Sequence, residues 1–257
     1  MINPDGLRTF CLDCADPDSR GPVQAYLTFV APSAFDAVAA IASRVLHAAE
    51  LSYFQGLPSE KRRADFLLGR YAAKHALSRL TNGLKPESIE IRAGAFHQPV
   101  VFHDTGLPLA VSISHCRGIV AALAHPATHP FGIDTEVVDA AHLDALRGHV
   151  GMGELPEPPA GLSEADRYTR VWTVKEALSK ALGCGLTASF EVFEIADRRE
   201  WDGTRMSGSF FYFPHFAYVS LGSPGRISFA LVRPRRTEIT WDEGAVCACL
   251  EELSSKT

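Results

Sequence analysis

Two stretches of this chain match without a gap at positions 101 apart. Lys74-His75-Ala76-Leu77-Ser78-Arg79 aligns with Lys175-Glu176-Ala177-Leu178-Ser179-Lys180. In the same register Tyr71 meets Trp172, and Ser88-Ile89-Glu90-Ile91 meets Ser189-Phe190-Glu191-Val192. A match that carries through a helix, a turn and the start of a strand reads as duplication. The expectation is an α+β fold of two similar α+β halves related by a pseudo-twofold axis, residues 1–126 and 127–257. A cleft between them would be the natural ligand site. Because the second half stands in for a partner subunit, a monomer is expected.

Periodicity supplies the elements. Ser33 caps a predicted helix to about Glu50, with Phe35, Val38, Ile41, Ala42, Val45 and Leu46 on one face. A second helix follows Ser59 to about Leu80, carrying Arg63, Arg70 and Lys74 at i, i+7 and i+11 as a basic stripe. Strands are expected over 23–30, 88–92, 99–102, 109–114, 118–125 and 131–136, each bounded by turn residues. After a short helix near 140–147 comes a Gly/Pro-rich loop, 148–161. Ser163 with Asp166 three residues on predicts a capped helix from Glu164 to about Leu182, stopped by Gly183. The remainder reads as strands over 190–195, 209–213, 216–221, 226–232 and 245–250.

Composition narrows the partners. Of 257 residues 46% are hydrophobic and 21% charged, and the formal net charge is −5. No global basic field exists to hold nucleic acid, so an anion site must be local. No apolar run is long enough to span a bilayer. The first twenty residues are acidic and polar, unlike a secretory signal, and a cytoplasmic protein with six free thiols is expected. Cys11-Leu12-Asp13-Cys14 and Cys247-Ala248-Cys249 together would supply four sulfurs for zinc, but the spacing is not that of a zinc ribbon, and Cys247 and Cys249 read as small hydrophobes.

Chemistry concentrates in the second half. In Gly132-Ile133-Asp134-Thr135-Glu136 the strand period puts Asp134 and Glu136 on one face, with Gly132 leaving room beside them. Glu176 is a third acid, present where the first half has His75, so it falls outside the shared scaffold. Trp172, Glu176 and Lys180 share a helix face at i, i+4 and i+8, and Lys175 is turned by about 100°. Three carboxylates suit Mg²⁺ and two lysines suit phosphate, which together suggest phosphoryl transfer. No Walker A loop, GxGxxG, GxSxG or HExxH occurs.

Gly132-Ile133-Asp134-Thr135-Glu136 followed by Trp172-Thr173-Val174-Lys175-Glu176-Ala177-Leu178-Ser179-Lys180 resembles the signature pair of the 4′-phosphopantetheinyl transferases, of the two-half type that activates surfactin and enterobactin synthetases. Val111-Ser112-Ile113-Ser114-His115 and Arg63-Ala64-Asp65-Phe66-Leu67-Leu68-Gly69-Arg70 agree with further family segments. The resemblance implies an enzyme that binds coenzyme A and Mg²⁺. It would move phosphopantetheine to a serine of an apo acyl or peptidyl carrier protein and release adenosine 3′,5′-bisphosphate. By motif match Asp134, Glu136 and Glu176 would ligate the metal. Arg63, Arg70, Ser114, His115, Lys175 and Lys180 would hold coenzyme A phosphates. Lys180 would also assist catalysis.

Two positions depart from the family pattern. The usual Phe-Ser before the catalytic glutamate is missing, and Glu154 stands at the matching distance as the candidate general base, with metal-activated water as the alternative. Gln98 replaces the usual lysine before the Ser-His strand. Carrier docking is expected on apolar residues near the cleft, within 148–162. The rival readings are a non-catalytic coenzyme A or carrier-binding relative and another Mg²⁺-dependent phosphoesterase.

Overall fold

A computed structural model of the protein describes residues 6–17, 21, 23–155 and 161–255; the expected docking segment therefore lies partly outside the described residues. The chain forms two compact units. The first runs to His129 and takes in Ile239–Trp241; the second spans Pro130–Glu238 and resumes at Asp242.

The first unit contains β1 (Leu7–Ala15), β2 (Val23–Val30), three short helices α1 (Phe35–Ala39), α2 (Ala42–Val45) and α3 (Ala48–Gln55), and the long α4 (Glu60–Leu80). Then come β3 (Glu90–Ala93), β4 (Pro99–Phe102), β5 (Leu109–Cys116) and β6 (Ile119–Pro126). The second unit contains β7 (Gly132–Val137), α5 (Leu143–Arg147), α6 (Glu164–Ala181), β8 (Ile195–Trp201), β9 (Arg205–Phe210), β10 (Phe216–Ser223) and β11 (Ile227–Pro234). After β12 (Glu238–Thr240), α7 (Glu243–Ser254) closes the described chain. The sheets run β12-β1-β2-β6-β5 and β7-β11-β10-β9-β8, with β3-β4 as a separate ribbon.

Each sheet buries one long helix. Helix α4 lies on β6, β2 and β5, and α6 lies on β11, β7 and β10. Both start on a serine whose hydroxyl accepts a backbone N–H: Ser59 from Arg62 at 3.3 Å, and Ser163 from Asp166 at 3.1 Å. The Asp166 carboxylate returns a bond to the Ser163 N–H at 3.1 Å, completing the predicted capping box. Helix α6 stops at Gly183 (φ 67°), where a left-handed residue costs no Cβ clash, and α4 stops at Asn82-Gly83, both left-handed (φ 55° and 111°). Val171, Val174, Ala177 and Leu178 form the buried stripe of α6; Leu68, Tyr71, Ala72 and Ala76 form that of α4.

Several expectations are corrected. The single helix from Ser33 to Glu50 is three short helices. Ile41 leaves helical geometry, Leu46 and His47 are extended, and His47 opens α3 through its own capping box with Glu50. Residues 245–250 are helix, not strand. Asp242 caps the Ala245 N–H at 2.8 Å, and the buried set Val246, Cys249, Leu250 and Leu253 has helical spacing, which a short apolar run conceals. Residues 190–193 form a 3-10 turn, and the strand begins at Ile195. Strand β1 escapes the periodicity reading because polar Asp13 and two cysteines interrupt it; in it Leu12 and Cys14 are buried while Cys11 and Asp13 are exposed. That alternation sends Cys11 and Cys14 to opposite faces, and all six cysteines are free thiols.

Two buried histidines make the fold acid-sensitive. Burial pulls His125 and His75 down to about 4, aided at His75 by Arg79. The unfolded chain takes up these protons near pH 6.5, and the folded chain does not until about pH 4. Stability from each is therefore intact above pH 6.5 and lost as pH falls to 4, by about 3 kcal/mol apiece. Urea midpoints at pH 7 and pH 4.5 are expected to converge in a His75→Gln/His125→Gln chain relative to the wild type. An undiminished pH difference in that variant contradicts the assignment.

Candidate active site

Asp134 and Glu136 lie on β7, the edge strand of the second sheet, in register with Ala230 and Ser228 of β11. Asp134 is buried and Glu136 half-buried. Glycine at 132 brings α6 against this strand. A Cβ there would collide with the Ala177 carbonyl oxygen and stand 2.5 Å from the Ala181 nitrogen. The close approach delivers Lys180 to the strand, where its Nζ donates to Asp134 Oδ1 at 2.6 Å. Glu176, one turn earlier on α6, is half-buried. Burial first, then the Asp134 and Glu136 carboxylates, push Glu176 up to about 7, with Lys180 opposing. The structure thus brings together Asp134, Glu136, Glu176 and Lys180.

A carboxylate whose proton affinity is raised by two neighbouring carboxylates belongs to a donor set that a hard divalent cation would relieve. Among the described residues no three His, Cys, Asp or Glu side chains are already closed on a common point, and Lys180 holds one Asp134 oxygen. The residues fit Mg²⁺ in kind, with Asp134 held by Lys180.

Glu154 and Lys175 sit elsewhere. Lys175 is fully buried and points away from Glu176. Its Nζ donates to Glu154 Oε2 at 2.6 Å and to the carbonyls of His149 and Phe190, each at 3.1 Å. Glu154 also accepts the N–H groups of Gly151 at 2.8 Å and Ile195 at 3.1 Å. An ammonium and two backbone donors fix this carboxylate in place. Glu154, expected as general base, and Lys175, expected as a phosphate contact, are thus bonded to each other.

In the first unit the basic stripe is largely consumed. Glu50 takes Arg70 Nε at 2.9 Å and the Lys74 ammonium, and Arg70 also donates to the Ile91 carbonyl at 3.0 Å. Arg70, expected as a phosphate contact, is thus held by Glu50 and Ile91. Arg63 remains exposed, its guanidinium 5.0 Å from the Phe54 ring centre. Ser114 is buried on edge strand β5. His115 is exposed, with Nε2 2.8 Å from the Asp65 carbonyl and its ring against Gly69. Gln98 turns onto its own hairpin, accepting the Phe96 N–H at 2.9 Å.

Beside Glu136 lies a cavity of about 350 Å³ lined by Leu146, His149, Thr169 and Trp172 among others. Trp172 stacks on Phe190 at 4.5 Å and 4°, and His149 meets both rings within 5.4 Å. Sequence reading passed over His149 and Thr169. The only signal for Thr169 was its helical spacing from Trp172, and His149 had none.

Two family models match in succession. One, described as the 4′-phosphopantetheinyl transferase N-terminal domain, covers residues 58–125. The other, described as the 4′-phosphopantetheinyl transferase superfamily, covers residues 130–230. No curated protein matches the chain significantly. Among solved structures, a Bacillus anthracis holo-(acyl-carrier-protein) synthase in complex with CoA (3′,5′-ADP) is 20% identical over 46% of this chain and 96% of its own, with a TM-score of 0.35. Holo-ACP-synthase from Plasmodium yoelii is 19% identical over 47% and 95%, with a TM-score of 0.34. With the N-terminal-domain model on the first unit and the superfamily model spanning β7, α6 and the first half of β11, the chain belongs to the 4′-phosphopantetheinyl transferase superfamily.

Proposed function

We propose that the chain transfers 4′-phosphopantetheine from coenzyme A to a serine hydroxyl of an apo acyl or peptidyl carrier protein, with Mg²⁺ as cofactor. The serine oxygen forms a bond to the β-phosphorus of coenzyme A and its proton passes to solvent. The bond from that phosphorus to the bridging oxygen breaks, and adenosine 3′,5′-bisphosphate leaves. The observation that carries this reading is the Asp134, Glu136, Glu176 and Lys180 cluster, inside the segment matched by the superfamily model.

Asp134, Glu136 and Glu176 would hold Mg²⁺, which when bound supplies charge to the pyrophosphate and its departing oxygen. Lys180, one-quarter exposed, orients Asp134 and places a positive charge at the same spot. Glu176, with an affinity for protons near neutrality, would have to give up its proton to hold the cation, so metal binding should weaken as pH falls below about 7. Trp172 and Leu146 give the cavity beside Glu136 an apolar wall suited to the pantetheine chain. Arg63, Ser114 and His115 are the first-unit residues proposed for coenzyme A. Acyl, polyketide and peptidyl carriers share the acceptor chemistry, and a cytoplasmic monomer fits the proposal.

The test is incubation with coenzyme A, Mg²⁺ and several apo carriers, read by intact mass. The expected result is one phosphopantetheine added to at least one carrier, dependent on Mg²⁺. Coenzyme A that binds but never leaves its phosphopantetheine on any carrier points to a non-catalytic relative and overturns the proposal.

A further inference from the structure

The buried Glu154–Lys175 pair has a twin. In the first unit Glu50 holds the ammonium of Lys74, and Lys74 Nζ donates to the Val45 carbonyl at 3.0 Å. Glu50 further accepts the His47 N–H at 2.9 Å and the Ile91 N–H at 3.0 Å. In the second unit Glu154 holds Lys175, Lys175 donates to the His149 carbonyl, and Glu154 accepts the N–H groups of Gly151 and Ile195. Residues 45, 47, 50 and 91 correspond one by one to 149, 151, 154 and 195, each 104 positions on, while the lysines are 101 apart. Five groups recur with the same donors and acceptors, in the unit with three acids at its site and in the unit where His75 stands in place of Glu176.

A device present in both copies is not explained by chemistry confined to one. We infer that Glu154 and Lys175 are positioning residues. They fasten α6 to the loop at His149 and to the turn at Phe190, and so fix where the next residue, Glu176, and the Trp172–Phe190 stack stand. The inference rests on the proposed transfer for its kinetic readout only.

The mechanism is geometric. Lys175 reaches the carbonyls of two separate segments, and both residues whose carbonyls it holds place their rings against Trp172. Trp172 and Glu176 are one turn apart on the same helix face, so a loosened ring cluster frees the helix face that carries the acid.

The experiment compares full-length Lys175→Met, Glu154→Gln and the double variant. Lys175→Met strands a buried carboxylate and should lower the melting temperature by roughly 10 °C, and the double variant, with both charges gone, should recover most of that. The folded double variant should lose the part of the near-UV circular dichroism that Trp172→Phe also abolishes. Its kcat should fall by roughly 10- to 100-fold, with KM for coenzyme A unchanged within about twofold. Lys74→Met and Lys74→Met/Glu50→Gln should repeat the thermal pattern. A KM for coenzyme A that rises with kcat preserved would make Lys175 a direct phosphate contact and overturn the inference. So would a double variant with wild-type near-UV signal, or thermal recovery at one pair and not the other. The thermal and spectroscopic readouts hold whether or not the wild type transfers phosphopantetheine, so failure of the function and failure of this inference are told apart.

Discussion

Asp134→Ala is expected to lower the rate of carrier modification by roughly two to three orders of magnitude while leaving the chain folded. Asp134 is the one acid of the three that is both buried and locked, through its 2.6 Å bond to Lys180. Removing it takes away a metal ligand and the anchor of a lysine together. The fold should tolerate the change, because Lys180 is one-quarter exposed and can turn its ammonium to water. Loss of Asp134 also removes a negative neighbour of Glu176, whose proton affinity should then fall from its present position near 7. Rates on a saturated carrier, with melting curves alongside, check the first part. Full activity in Asp134→Ala would show that the ligand assignment is wrong.

Gly132→Ala should be the most damaging single methyl that can be added near the site. The new carbon meets backbone, the Ala177 carbonyl oxygen and the Ala181 nitrogen, so no side chain can swing aside to admit it. Either β7 or α6 must move, and both carry acids of the cluster. Overpacking against backbone of this kind costs about 3 kcal/mol, or roughly 10 °C in melting temperature for a chain of this size. Activity should fall with it, since Asp134 and Glu176 can no longer keep their spacing. A Gly132→Ala chain that melts and turns over like the wild type would mean that the helix does not lie this close to the strand.

Much of this arrangement was legible in the residues. The strand period placed Asp134 and Glu136 together, and the helix period placed Glu176 and Lys180 one turn apart; both are local rules that tertiary packing seldom overrides. Ser59 and Ser163 with their glycine stops marked α4 and α6 almost to the residue. Lys175 matches Lys74 across the repeat, so the repeat itself sets it with the shared scaffold. Glu154 was harder. Its partner in the first half, Glu50, appears only when the 101-residue register slips to 104, and an ungapped comparison cannot see that. Arg70 looked free because nothing local to α4 reveals that Glu50, twenty residues upstream, is aimed at it. Residues 245–250 failed for another reason: six apolar residues cannot distinguish a buried strand from a helix, and the Asp242 cap decided it.

Strand β12 has a consequence in time. The first sheet is finished at one side by residues 238–240, which lie beside β1, although β1 begins at residue 7. A chain emerging from the ribosome can assemble β1, β2, β6 and β5 once about half of it is made. The flank of β1 then stays uncovered until nearly the last of the described residues is synthesised. During that interval β1 offers its unpaired backbone to any extended segment nearby. Nascent chains stalled before residue 238 should therefore be the species most prone to mispairing and most dependent on a chaperone.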